Sequence, residues 1–231
     1  MLQTVLGFDA EQIARAFAIP TATLAQRLVR AKRRIRDAGI PFLVPDRGQM
    51  PSRVAPVLEA IYGAYAIDWT LVAGIATRDT LGAESHWLAV ILAELLPDEP
   101  EVLGLAALIS FSLARQPARA SSDGFVSLDE QDPKLWNATL IADGERYLNR
   151  AKSFNAIGRF QIEAAIQSVH CARAASHVTD WAALNTLYGA LVSIAPESAV
   201  RAYDKAISLT TRIGERAYLE RRRQAATQRP S

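Results

Sequence analysis

The chain has 231 residues, 50% of them apolar, and a formal net charge of only +2, so it can bury a sizeable core and is neither a polyanion nor a polycation overall. Its single cysteine, Cys171, excludes an intramolecular disulfide and a cysteine-rich zinc cluster and fits a reducing compartment, so a cytoplasmic location is expected. The longest uncharged stretch, Trp181 to Pro196, contains Asn185, Thr186 and Ser193 and falls short of the roughly 20 apolar residues that span a bilayer, and the start, MLQTVLGFDAEQ, lacks the basic and apolar regions of an export signal, so no membrane partner is expected.

The first predicted element is a short helix in DAEQIARAFA (9–18). Asp9 stands as its N-cap and Gln12 at the third helical position, the capping-box spacing, with apolar Ile13 and Phe17 one turn apart. Pro20 and Thr21 interrupt it. Thr21 can cap a second, longer helix whose apolar residues Leu24, Leu28, Ala31 and Ile35 recur at helical spacing and are expected to pack inward. Gly39 and Pro41 end that helix in the usual order.

This second helix is strongly basic: Arg27, Arg30, Lys32, Arg33, Arg34 and Arg36 fall within ten positions. Residues 1–47 hold eight Lys/Arg against four Asp/Glu, whereas 48–231 hold 18 against 20, so the two parts are expected to meet different partners. A short capped helix, a tight turn and a basic helix form a partial helix-turn-helix. In that motif the N-terminal residues of the second helix meet base edges and later cations meet phosphates. The pattern places Thr21, Thr23, Gln26 and Arg27 at the base-facing end, and Arg30, Lys32, Arg33, Arg34 and Arg36 at the phosphate end. A solvated basic helix at the end of a bundle is the plainer reading of the charge.

IPFLVPDRGQMPS (40–52), with three prolines and a glycine, reads as a linker, dividing the chain into 1–39 and 53–231. Beyond it the periodicity predicts helices over 53–67, 69–77, 84–96, 100–115, 133–153, 158–176, 180–194, 197–210 and 213–226, joined as antiparallel hairpins, with no strand signal. The fold class is therefore all-α. ESAVRAYDKAISLTTRIGERAYLERRR resembles a single tetratricopeptide-type hairpin, but no clean 34-residue period runs through the rest.

The remaining constellations argue against chemistry. His170 and His177 lie two turns apart, about 10 Å of rise, too far for one metal ion without a bend. Asp129, Glu130 and Asp132 occupy the one long polar loop (118–132) without a paired nucleophile or a phosphate-binding glycine loop. Asp132 is expected to cap the helix opening at Pro133, and Asp123-Gly124 to form a turn. Trp69, Trp87, Trp136 and Trp181 each lie near a predicted helix start, where core or hairpin packing is the ordinary role. Arg221, Arg222 and Arg223 read as a solvated helix end. No catalytic residue, metal or cofactor is assigned.

FDAEQIARAFAIPTATLAQRLVRAKRRIRDAGIPF (8–42) resembles the region-4 helix-turn-helix of extracytoplasmic-function (ECF) sigma factors of the sigma-70 family. LLPDEPEVLGLAALISFSLAR (95–115), DGFVSLDEQDPKLW (123–136), QIEAAIQSVH (161–170) and TDWAALNTLY (179–188) are similar, in the same order, to segments of the group carrying a large tetratricopeptide-like C-terminal extension. The resemblance implies recognition of the −35 promoter element beside the RNA polymerase core, with the extension modulating activity through a protein partner or effector. It carries the DNA-binding role to Thr21, Thr23, Gln26, Arg27, Arg30 and Arg33. Region 2 of that family is absent from the sequence and region 4 is truncated, which fits a fragment, a shortened product or a diverged regulator. ALVSIAPESAVRAYDKAI joins the family's middle to its last helical pair with one segment missing. The competing expectation is a helical protein-interaction scaffold without sigma activity.

Overall fold

The computed structural model describes residues 9–16, 19–39, 50–71, 79–121, 124–126, 128 and 130–196, and, beyond these, residues 198, 200, 203, 204, 207, 219–221, 223, 224 and 227. The fold is all-α, with one two-residue β-ladder among the described residues. The chain divides into two compact units, Met1–Leu88 and Ala89–Ser231.

In the first unit, α1 (Ala10–Ala16) opens on the capping box that its sequence predicts. The Asp9 N–H donates to Gln12 Oε1 at 3.0 Å and the Gln12 N–H donates to Asp9 Oδ1 at 2.7 Å, so two otherwise orphaned donors are met reciprocally. Ile13 and Ala14 are buried; Phe17 lies outside the described residues. α2 (Thr21–Asp37) and α3 (Met50–Leu71) both pack on α1. Along α3, Val54, Leu58, Ile61, Ala64 and Tyr65 are buried at three- and four-residue spacing.

Three expectations for α2 meet different outcomes. Thr21 is its first helical residue rather than its cap: Pro20, with φ −56° and ψ 130°, supplies the extended entry and no side chain caps the turn. Gly39 ends the helix in the left-handed region at φ +57°, as its position predicts. The inward stripe is only half engaged. Leu24 and Leu28 are half-buried, Ala31 is exposed and Ile35 is 54% exposed. Length is the reason, since a seven-residue α1 spans about 10 Å against about 25 Å for α2 and covers only its first turns.

α3 continues unbroken through the gap expected between 67 and 69, and α4 (Asp79–Leu95) begins earlier than the predicted start at 84. Residues 72–78 and most of the predicted 40–52 linker lie outside the described residues.

The second unit is built around α5 (Pro100–Ala114), twelve of whose fifteen residues are buried. α6 (Ala138–Ser153) and α7 (Arg159–Cys171) pack on it, followed by α8 (Arg173–Ser176) and α9 (Trp181–Ile194). Glycines set the approach. A Cβ at Gly144 would fall 2.8 Å from the Phe111 ring, and one at Gly104 would fall 2.7 Å from the Gln161 backbone nitrogen. A further cluster of Ile162, Ile166, Leu184, Leu191, Tyr203, Ile207 and Leu219 joins α7 and α9 to the helical positions near the C-terminus, with Tyr188 stacked on Tyr203 at 4.8 Å.

The single helix expected over 133–153 is two elements. Asp132 does cap at Pro133, its Oδ1 accepting the Lys134 N–H at 3.0 Å, but that turn is a short 3-10 segment, Pro133–Leu135. Asn137 then caps α6 afresh, accepting the Thr139 and Leu140 N–H groups at 3.0 and 3.1 Å. The helix expected over 158–176 likewise breaks at Ala172, and His177, at φ +59°, closes α8.

In the polar loop, β1 (Ala120–Ser121) pairs antiparallel with β2 (Gly124–Phe125), a ladder too short for period-two alternation to reveal. Gly124 lies in β2, while Asp123 and Asp129 fall outside the described residues, as does most of 197–231. No helix among the described residues is long and apolar enough to cross a membrane.

Candidate functional site

The cationic surface is α2. Thr21, Gln26, Arg27, Arg30 and Arg33 are exposed and Thr23 is half-buried; Lys32, Arg34 and Arg36 are exposed as well. At 100° per residue Gln26, Arg30 and Arg33 share one stripe, and the six cations from Arg27 to Arg36 spread over roughly 14 Å of helix axis. Arg30 Nε donates to the Gln26 carbonyl at 3.4 Å.

The one acid of α2, Asp37, meets Arg33 at 3.4 Å, with 62% of the Asp37 and 80% of the Arg33 side chain exposed. So exposed a pair holds its partners weakly, and Arg33 can exchange it for another anion. Val29, 66% exposed and off the inward stripe, and Ile35, which the pattern predicts to pack inward, add apolar surface to this helix.

The second unit carries a polar cluster that sequence reading missed. Arg115 and Arg119, just past the end of α5, are 4% and 5% exposed. Their spacing in FSLARQPAR reads as an ordinary helix end, and only the return of α7 encloses them. The Arg115 guanidinium donates to Gln167 Oε1 and that of Arg119 to the Ser112 carbonyl. Arg173 donates to the Gln131 carbonyl at 2.9 Å and lies over the Trp136 ring at 5.3 Å. Burial, together with the charges of Arg115 and Arg173, pushes the His170 pKa down to about 3, so the imidazole is neutral. Burial also raises the Cys171 thiol above its ordinary value.

His170 and His177 are separated by the break at Ala172. Among the described residues no group of three or more His, Cys, Asp or Glu side chains is placed to hold a metal ion. Glu130 and Asp132 are exposed. Of the tryptophans, Trp136 is buried as expected, but Trp87 and Trp181 are 61% and 47% exposed; the Trp69 side chain lies outside the described residues. Arg223 is exposed and pairs with Asp204 at 2.8 Å. A shallow groove of about 300 Å³ lies between the end of α4 and α6, lined by Ala93, Glu94, Pro97, Leu103, Arg146, Tyr147 and Arg150.

Residues 53–152 match a family described as a family of unknown function, DUF6596. An uncharacterized protein of Rhizobium meliloti (strain 1021) is 34% identical over 220 residues, covering 94% of this chain and 52% of that protein. The chain thus spans about half the length of the curated relative it matches. No solved structure matches the chain.

Proposed function

We propose that the chain is the DNA-binding and regulatory portion of an ECF sigma factor that directs transcription initiation. In this reading α2 meets the −35 element of promoter DNA beside the RNA polymerase core. The helical second unit modulates that activity through protein contacts. The observation that carries the proposal is the exposure of six cations along α2, a helix that packs on a capped α1. The resemblance of residues 8–42 to region 4 supplies the promoter role. Thr21, Thr23 and Gln26 are short or neutral base readers, so backbone phosphates contribute most of the affinity through Arg27, Arg30 and Arg33.

Gel shift of duplex DNA tests it. If about six phosphates are neutralised, affinity falls roughly a thousandfold between about 50 and 200 mM salt. Binding that is absent at low salt, or indifferent to salt, favours the second reading, a helical protein-interaction scaffold without sigma activity. The exposed apolar surface at Val29 and Ile35 is the observation on that side.

A further inference from the structure

The groove between the end of α4 and α6 combines an apolar floor with charges of both signs. Ala93 and Leu103, both buried, form the floor, and Pro97 and the Tyr147 ring add apolar surface. Arg146 and Arg150, one turn apart on α6, share a face and both line the space. The Arg146 guanidinium lies over the Tyr147 ring, 5.2 Å from its centroid. From the last turn of α4, the exposed Glu94 lines the same space. One enclosed volume of about 300 Å³ therefore brings two guanidinium groups, a carboxylate and an apolar floor within reach of a single ligand.

These charges are loosely held. Arg146 pairs with Asp143 at 2.7 Å within α6, and Arg150 meets Asp98, in the turn after α4, at 3.5 Å. The two arginine side chains are 67% and 52% exposed and Asp98 is 81% exposed, and pairs so open to water exchange readily. Glu99, in the same turn, stands at the N-cap of α5, where the helix end favours a negative charge. No ion pair joins Glu94 to either arginine or to another described residue. Because Asp98 and Asp143 already offset the two guanidinium groups, a simple anion meets no surplus of positive charge. A simple cation drawn to Glu94 meets both arginines in the same space. A ligand that carries both charges complements both walls. The volume lies at the lower end of small-molecule sites, so the ligand is small, and the floor favours an apolar substituent on it.

We infer that this groove binds a small zwitterion with an apolar side chain, an α-amino acid whose ammonium group donates to Glu94, whose carboxylate accepts from Arg146 and Arg150, and whose side chain covers Ala93 and Leu103. Binding exchanges the exposed contacts to Asp98 and Asp143 for charge-assisted hydrogen bonds to the ligand. The site lies wholly in the second unit and does not depend on whether α2 binds DNA.

Titration of the isotope-labelled full chain, followed by amide chemical shifts, tests the site with L-leucine and three relatives of it. Leucinamide lacks the carboxylate, N-acetylleucine lacks the ammonium group, and glycine lacks the side chain. Leucine is expected to shift the amides of Glu94, Tyr147 and Arg150 saturably, and each of the other probes to bind roughly fivefold or more weakly. Glu94→Gln should lower leucine binding to about the N-acetylleucine level, and Arg146→Gln/Arg150→Gln to about the leucinamide level. All three side chains are exposed, so the fold should survive. Leucine binding that persists in Arg30→Ala/Arg33→Ala separates this site from the basic helix. No saturable shift at those amides, an equal response to any of the other three probes, or wild-type leucine binding in both groove variants would overturn the inference.

Discussion

The Glu101 carboxylate, in the first turn of α5, accepts the backbone N–H of Phe160 at 2.9 Å although 59 residues separate them. Its other oxygen accepts the Gln161 N–H at 3.2 Å and Gln161 Nε2 at 3.3 Å. One side chain thus supplies negative charge to the N-terminal turn of its own helix and caps that of α7, where the local sequence offers Gly158 and no capping side chain. Gly158 also clears the path, because a Cβ there would lie 2.2 Å from Glu101 Cδ.

Gly158→Ala is therefore expected to cost about 1–3 kcal/mol in urea unfolding, as an overpacked site does. Glu101→Ala is expected to cost about 1 kcal/mol or more through loss of the cap. The double variant should be clearly less destabilised than the sum, since the clash disappears with the carboxylate. Additive losses would show that the two positions do not interact.

Gly104 and Gly144 make a second pair of expectations. Alanine at Gly144 strikes the Phe111 ring, itself fully buried and unable to swing away; alanine at Gly104 strikes the Gln161 backbone. Both should lower the urea midpoint by the equivalent of about 1–3 kcal/mol. Gly104→Ala should be the worse, because moving backbone shifts all of α7. Wild-type stability in either variant would contradict the close packing on α5.

His170 gives a pH signature. Its pKa is about 3 in the folded protein against about 6.5 in the unfolded chain. Between those values the unfolded chain binds a proton that the folded one does not, so stability is retained above about pH 6.5 and declines as pH falls toward 3. This group contributes a slope of at most about 1.4 kcal/mol per pH unit. His170→Asn should flatten the stability profile between about pH 5 and 6.5, where carboxylates contribute little. Superimposable profiles would place His170 in contact with water and away from Arg115 and Arg173.

What the sequence disclosed and what it hid divide along the range of the interaction. The Asp9–Gln12 box, Gly39 and the Asp132–Pro133 cap are written within four residues, and each stands where its spacing predicts. The all-α class follows from the same local periodicity. Ile35 was misplaced because helical spacing tells which residues share a stripe, not how long the helix covering it is. Trp87 and Trp181 were misplaced for a similar reason, since a large ring at helical spacing does not reveal whether an element lies over it. The Glu101 cap on α7 and the Arg115 cluster depend on segments tens of residues apart and carry no local mark.

The Asp9 cap links stability to the basic helix. Asp9→Ala removes one half of the reciprocal pair and should cost α1 about 1 kcal/mol. Because α2 packs on α1, the variant should show faster amide exchange in the first turns of α2. It should also bind DNA several-fold more weakly with an unchanged salt slope, since no cation is lost. Unchanged exchange in α2 would mean that α1 does not hold it.

The most direct measurement of the DNA-binding role is fluorescence anisotropy of duplex DNA across a salt series, wild type against Arg30→Ala/Arg33→Ala. Two lost phosphate contacts should reduce the log–log salt slope by about 1.8 and weaken binding at every salt concentration. The fold should survive, because both side chains are exposed. A double variant that binds with wild-type affinity and slope would contradict the assignment of α2 as the nucleic-acid surface.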